Sequence, residues 1–156
     1  MKKCLTVFLA LAVLAAAAPV WAADTNTLTV TATVVGTCKF EVPKTSTLNF
    51  GNLDPSVATD VTVFTTTQFW CTKGVVTGPF TSDAGLNPAG GKNQMRDAAS
   101  GDVIPYTIDS LVPDALTNAG PGTKRTLTIT GTVLAADYTT KSAGTYSDTV
   151  TLSINP

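Results

Sequence analysis

The 156-residue sequence contains no histidine, and only 13% of it is charged. Without an imidazole, a Ser-His-Asp triad, a Cys-His pair and a His-ligated zinc site are all excluded. Ten Lys and Arg against eleven Asp and Glu give no basic field, so no nucleic-acid partner held through phosphates is expected. Cysteine is scarce, three in all. Helical periodicity is missing too: no window of helical length places apolar residues at i, i+3, i+4 and i+7. There is no internal repeat and no second domain. The longest apolar run, Cys4–Ala18 with Thr6 inside it, falls short of the roughly twenty residues that span a bilayer.

That run has the features of an address label. Lys2 and Lys3 precede it, Pro19 breaks it, and Val20-Trp21-Ala22 supplies the small or branched residues of a cleavage site. Residues 1–22 read as a secretory signal peptide cut after Ala22. Cys4 opens the apolar run and does not stand at the cleavage point, which argues against a lipoprotein. The remaining chain carries a formal charge of −3 and two cysteines, Cys38 and Cys71. Two cysteines in a secreted chain most simply form one disulfide, the alternative being two free thiols. Two cysteines are too few for a thiolate metal site, and no cofactor is expected.

What the sequence has in abundance is threonine, 28 of the residues after Ala22. Thr is β-branched and suits a pleated surface. Leu28, Val30, Ala32 and Val34 alternate with Thr27, Thr29, Thr31 and Thr33. Val61 and Val63 flank Thr62 at the start of a pattern that runs to Cys71. Leu127, Ile129 and Val133 alternate with Thr126–Thr132, and Val150, Leu152 and Ile154 with Thr149, Thr151 and Ser153. Each set predicts a strand with one buried face. Shorter strands are expected at Thr47–Phe50, Gly74–Thr81 and Val103–Ile108. Turn-rich stretches at Gly51–Pro55, Ser82–Asp102 and Pro113–Thr123 separate them, the middle one either a surface loop or hiding a strand near Gln94–Asp97. Six or seven short strands with polar loops and no helix predict an all-β sandwich of immunoglobulin-like type.

The two ends fit a closed sandwich poorly. An alternating strand stands before Cys38, joined to it only by Gly36-Thr37, and the chain stops two residues after Ile154. Two readings are open. The N-terminal strand folds back as the first strand of its own domain, or it leaves and fills an uncovered sheet edge in a neighbouring molecule.

At this point the residues resemble a family. Leu28-Thr-Val-Thr-Ala-Thr-Val-Val-Gly-Thr-Cys38, then Leu48-Asn-Phe-Gly51, Cys71 closing a Thr-rich strand, Met95-Arg96, and finally Gly144-Thr-Tyr-Ser-Asp148-Thr-Val-Thr-Leu152 look like the spore coat protein U family, which includes the pilin subunits of archaic chaperone–usher pili. The resemblance spans essentially the whole chain after the signal. This sequence departs from it in the middle: Pro105 lies inside a strand, which suits an edge or bulge, Ser110–Ala115 replaces a Trp-Gly pair, and Ile129-Thr130-Gly131 lacks an aromatic before the glycine.

The resemblance implies an incomplete immunoglobulin-like β-sandwich over residues 37–156 that lacks its last strand, preceded by a donor-strand segment over 23–36. A periplasmic chaperone would lend a strand first. At an outer-membrane usher, another copy or a related pilin subunit would then replace it head-to-tail. Donor positions would be Leu28, Val30, Ala32 and Val34. The acceptor groove would be lined partly by Val150, Leu152 and Ile154. The expected product is a cell-surface fimbria supporting adhesion and biofilm formation. A monomeric secreted binding module and a resting-cell coat protein are the alternatives.

Catalytic chemistry is set aside on the residues themselves. Gly85–Lys92 has the wrong spacing for a phosphate loop, with Asn93 where a Mg-binding hydroxyl belongs. Asp97 with Asp102, and Asp109 with Asp114, read as turn formers rather than paired catalytic acids. Arg96 reads as a rim charge, Trp70 as packing near Cys71, and Asp148 as a strand-start acid bonded to backbone.

Overall fold

A computed structural model describes residues 21–156, so the signal segment lies almost wholly outside the described residues. The chain divides into two units, Met1–Thr33 and Val34–Pro156. Of the first unit, residues 21–33 are exposed and form no strand with any of the described residues. Leu28 and Val30 are 83% and 81% exposed.

The second unit is almost entirely β. Its elements are β1 (Cys38–Phe40), β2 (Val61–Cys71), β3 (Thr81–Ser82), β4 (Asn93–Asp97), β5 (Val103–Pro113), β6 (Arg125–Val133), a single helical turn α1 (Ala135–Tyr138), β7 (Tyr146–Ser147) and β8 (Leu152–Ser153). Six strands form one curled antiparallel sheet in the order β1-β2-β6-β5-β4-β7, and β3 pairs with β8 in a second, small sheet. The predicted all-β class is what the chain adopts.

The long ladders follow the threonine alternation. Along β2 the odd-numbered residues turn in and Thr62, Phe64, Thr66 and Gln68 turn out. Along β6, Leu127, Ile129 and Val133 are buried while the threonines between them face outward. Register locks the pattern, with Val61 opposite Val133 and Thr66 opposite Thr128, because a one-residue slip would expose every inward side chain. On the outer face the hydroxyls of Thr62 and Thr132 meet at 2.7 Å.

Pro105 sits where a residue without an N–H is tolerated. Residues Val103–Tyr106 of β5 pair with β4, and the ladder with β6 begins only at Thr107 and shifts register between Ile108 and Ser110. The proline therefore has a ladder on one side alone.

The structure corrects four sequence expectations. The helical turn α1 stands where no helix is expected. One turn is too short to show a period, and it is held from outside, Ala135 donating its N–H to Asp60 at 2.8 Å and Tyr138 its hydroxyl to the Thr59 carbonyl at 2.9 Å. The strand expected over Gly74–Thr81 shrinks to β3, because Gly74 has a positive φ and the stretch between is tied by isolated bonds such as Gly78 N–H to the Asn155 carbonyl. The strand expected at Thr149–Ile154 forms a ladder only at Leu152–Ser153, and the one at Thr47–Phe50 forms none. In the other direction, Gln94–Asp97 is a strand, part of β4.

Cys38 and Cys71 are disulfide-bonded, with an S–S distance of 2.02 Å, across the β1–β2 ladder. Near this crosslink Arg125 is 7% exposed. Its guanidinium donates to Asp114 Oδ1 at 2.8 Å and to Asn118 Oδ1 at 3.0 Å, and lies over the Phe69 ring. Asn118 in turn donates to the Val75 carbonyl. The network satisfies a charge that would otherwise be buried unpaired.

Replacing both cysteines by alanine is expected to lower stability by about 3.5–4 kcal/mol through the released 33-residue loop. Asp114→Ala, which strands Arg125, is expected to cost about 2–4 kcal/mol. Urea unfolding monitored by tryptophan fluorescence measures both losses.

Candidate functional site

The buried apolar residues fall into two groups. One gathers Phe50, Ile104, Tyr106, Val133 and Tyr138, the other Phe69, Cys71, Leu127 and Ile129, and Ile108 packs against both. Four side chains in the described chain are large and fully buried, Phe69, Leu127, Val133 and Cys71.

Between the groups runs a cleft. One part has a volume of about 360 Å3 and is lined by Leu48, Phe50, Thr65, Met95, Tyr106, Ile108, Ile129, Tyr146, Val150 and Leu152, among others. A second part, about 530 Å3, continues past Leu48 and Phe50 to Leu53, Ile104, Tyr138 and Lys141–Tyr146. The floor is the big sheet, and the banks are the stretches around Thr47–Phe50 and Tyr146–Leu152.

Of the two banks, the far one pairs with a strand, β8 with β3. On the far bank Val150, Leu152 and Ile154 turn inward and Thr149, Thr151 and Ser153 outward. The outward residues bond toward β3: Ser153 lies opposite Thr81, and the Asp83 N–H donates to the Thr151 carbonyl at 3.0 Å. In an extended strand the N–H and C=O of alternate residues point to opposite edges. The main-chain groups of Val150, Leu152 and Ile154 therefore face the cleft. Among the described residues, no main-chain hydrogen bond joins them to Thr47–Phe50.

The near bank is held by side chains alone. Phe50 is buried with its ring 5.9 Å from that of Tyr106. Leu48 seats over Gly131, where an added Cβ would lie 2.8 Å from Leu48 Cδ2 and 2.7 Å from the Thr107 carbonyl oxygen. Glycine at 131 is thus a seat for this bank, a role that periodicity could not reveal because it depends on tertiary approach. Leu48-Asn-Phe-Gly51 was legible only as a short motif.

Asp148 is where sequence parity placed it, at the head of the far bank, and it bonds to backbone as expected. It accepts the Leu86 and Thr149 N–H groups at 2.8 Å, and also the Tyr106 hydroxyl at 2.8 Å from the floor. Burial, and then this bond to a carboxylate, pushes the Tyr106 hydroxyl pKa well up. Asp83 Oδ1 accepts the Thr151 and Gly85 N–H groups, at 2.9 and 3.0 Å. These bonds hold its pKa below the ordinary aspartate value.

Of the predicted acceptor residues, Val150 and Leu152 line the cleft, while Ile154 packs with Leu152 in the Phe69 group. Leu28, Val30 and Ala32 belong to the N-terminal unit, and Val34 lies at the start of the body, 83% exposed. Just beyond, the Thr72 hydroxyl fastens the chain: it accepts the Thr37 N–H at 3.0 Å and lies 3.3 Å from the Val35 carbonyl.

The residues considered for catalysis have local work. Asp97 caps Ser100, Asp102 accepts the Ser142 N–H, Asp109 joins Thr107 to Thr132, and Asp114 holds Arg125. Gly90 and Gly91 form a tight turn at the Ala89–Lys92 bridge. Among the described residues, no cluster of metal-ligating side chains and no helix able to cross a membrane is found.

The body is a disulfide-pinned, antiparallel β-domain with an apolar cleft between Thr47–Phe50 and the Val150–Leu152 stretch. The family model of the Spore Coat Protein U domain matches residues 24–153. The chain belongs to this family, that of archaic chaperone–usher pilin subunits, a structural family and not an enzyme family. No curated protein matches the chain.

Gly131→Ala is expected to unseat Leu48 at a cost of about 1–3 kcal/mol, read as a lowered urea midpoint. The Asp83 bonds, which depress its pKa, contribute in full above pH 3.8 and are lost as pH falls through its own lower value. Asp83→Asn should therefore flatten the fall in urea midpoint with acidification below pH 4, relative to the unaltered chain.

Proposed function

We propose that this chain is a structural subunit of a cell-surface fimbria, assembled by donor-strand complementation. The N-terminal segment of one copy inserts into the cleft of the next, between Thr47–Phe50 and Val150–Ile154. The observation that carries this reading is the far bank, whose inward main-chain groups at Val150, Leu152 and Ile154 have no main-chain partner among the described residues and stand beside an apolar floor. A β-strand satisfies both at once, supplying a hydrogen-bond ladder and alternate apolar side chains.

The N-terminal segment has the complementary pattern. Leu28, Val30, Ala32 and Val34 share one face and the segment from Thr25 to Val35 carries no charge, matching a cleft floored by Thr65, Met95, Ile108 and Ile129. Burying those four side chains contributes at most about 5–9 kcal/mol, before the main-chain bonds are added. Because the donor and acceptor surfaces differ, the contact repeats head-to-tail and yields an open polymer.

Before assembly the cleft needs a temporary occupant, the role of a periplasmic chaperone, with exchange at an outer-membrane usher. Export through the periplasm follows from the signal segment, and adhesion and biofilm support follow from display on the cell surface.

The test is electrophoresis in denaturing detergent, without boiling, of the periplasmically expressed chain and of a deletion of Ala23–Val35. The expected result is a ladder of multimers that collapses on boiling and is absent from the deletion. A full-length chain that stays a folded monomer, with the deletion unfolded, would show the segment completing its own domain.

A further inference from the structure

We propose that Asp148 and Asp83 are positioning residues for strand uptake: their carboxylates stand in for the neighbouring strand that β3 does not supply, and so hold the far bank extended with its inner edge free. The proposal rests on the strand-uptake reading given above. It concerns what makes the cleft ready to receive a strand, whichever copy donates it.

The argument begins with the outer edge of the far bank. From Asn155 back to Thr151 this edge bonds to main chain, through Gly78 N–H to the Asn155 carbonyl, the Ser153–Thr81 and Leu152–Ser82 pairs, and Asp83 N–H to the Thr151 carbonyl. At Asp83 the neighbouring chain turns away into the loop that leads to β4. The N–H groups of Thr151 and Thr149 then have no strand opposite them. Asp83 Oδ1 takes the first at 2.9 Å and Asp148 Oδ1 the second at 2.8 Å.

The same two carboxylates fasten the turning loop. Asp83 accepts Gly85 N–H at 3.0 Å and Asp148 accepts Leu86 N–H at 2.8 Å. Gly85 has φ +72°, and a Cβ there would lie 2.2 Å from Asp148 Oδ2, so only glycine lets the loop close over this carboxylate. The second oxygen of Asp148 takes the Tyr106 hydroxyl at 2.8 Å, which ties the bank to the floor at a set height. Loop, bank and floor therefore meet at one side chain.

A bank held this way on its outer edge presents Val150, Leu152 and Ile154 in extended register to whatever enters. Without the carboxylates, the N–H groups of Thr149 and Thr151 lose their partners, and the bank is free to rotate and satisfy them from the cleft side. Strand uptake would then wait on the bank being straightened, a cost that pre-organisation removes.

The experiment compares the rate of multimer-ladder formation per folded molecule for the full chain and for Asp148→Ala, Asp148→Asn, Tyr106→Phe and Asp114→Ala, each expressed to the periplasm. Folded fraction is read from tryptophan fluorescence. Asp148→Ala is expected to slow assembly per folded molecule about tenfold, the scale of losing charge-assisted hydrogen bonds. Asp148→Asn, which keeps one acceptor oxygen, is expected to restore part of the rate, and Tyr106→Phe to fall between. Asp114→Ala destabilises the body at residues that do not line the cleft and should leave the rate per folded molecule unchanged. Assembly by Asp148→Ala at the unaltered rate, or a loss that merely follows folded fraction as in Asp114→Ala, would overturn the proposal. Absence of any ladder from the unaltered chain would remove the strand-uptake reading, and this proposal with it.

Discussion

A main-chain N–H or C=O taken from water needs a partner, and in the proposed assembly the edge formed by Val150, Leu152 and Ile154 turns that requirement into a binding surface. The outer edge of the same stretch is satisfied by Thr81, Ser82 and Asp83. Among the described residues, the inner edge has no main-chain hydrogen bond to Thr47–Phe50 across the cleft. Beside it lies an apolar floor between two separate clusters of buried side chains. An entering strand would complete the ladder and join the two clusters into one core. Hydrogen bonding and hydrophobic burial thus point to the same missing element.

The rest of the body is fixed independently of this cleft. The long β2–β6–β5 ladders form a platform whose register is fixed by alternation. At one end the Cys38–Cys71 bond and the Arg125–Asp114–Asn118 network lock β1 and the 113–118 turn in place. Thr72, next to the disulfide, fastens Val35–Thr37 by its hydroxyl. At the other end Tyr138 ties α1 to Thr59. The two banks are held differently, one by the side chains of Leu48 and Phe50, the other by main-chain bonds to Gly78 and Thr81–Asp83 together with two aspartates.

Much of this was legible in the sequence because threonine alternation is a strong period-two signal. It marks β2 and β6 nearly to the residue, and with the two cysteines it marks the crosslinked end. The lack of histidine removes the commonest catalytic chemistry on composition alone. Parity in Gly144–Leu152 also places Asp148 beside the inward row. The misses have a shared cause. Thr47–Phe50 and Thr149–Ile154 have strand patterns, yet a strand is defined by its partner, and among the described residues Thr47–Phe50 pairs with no strand and the second stretch pairs only at Leu152–Ser153. Gly131 and Gly85 matter through what approaches them, Leu48 and Asp148, and no local pattern encodes that approach. The turn α1 and the shrinkage of the Gly74–Thr81 strand to β3 are set by tertiary tethers at Asp60, Thr59 and Asn155.

The most direct test is residue-resolved amide hydrogen exchange of the monomer and of assembled multimers. In the monomer the account predicts alternation along the far bank. Thr151 and Ser153, bonded on the outer edge, should exchange slowly, and Val150, Leu152 and Ile154, facing the cleft, should exchange fast. In the multimer the second set should become as slow as the first, together with Thr47–Phe50. Protection of Val150, Leu152 and Ile154 already present in the monomer and unchanged on assembly would contradict it, because the edge would then have a partner within the chain.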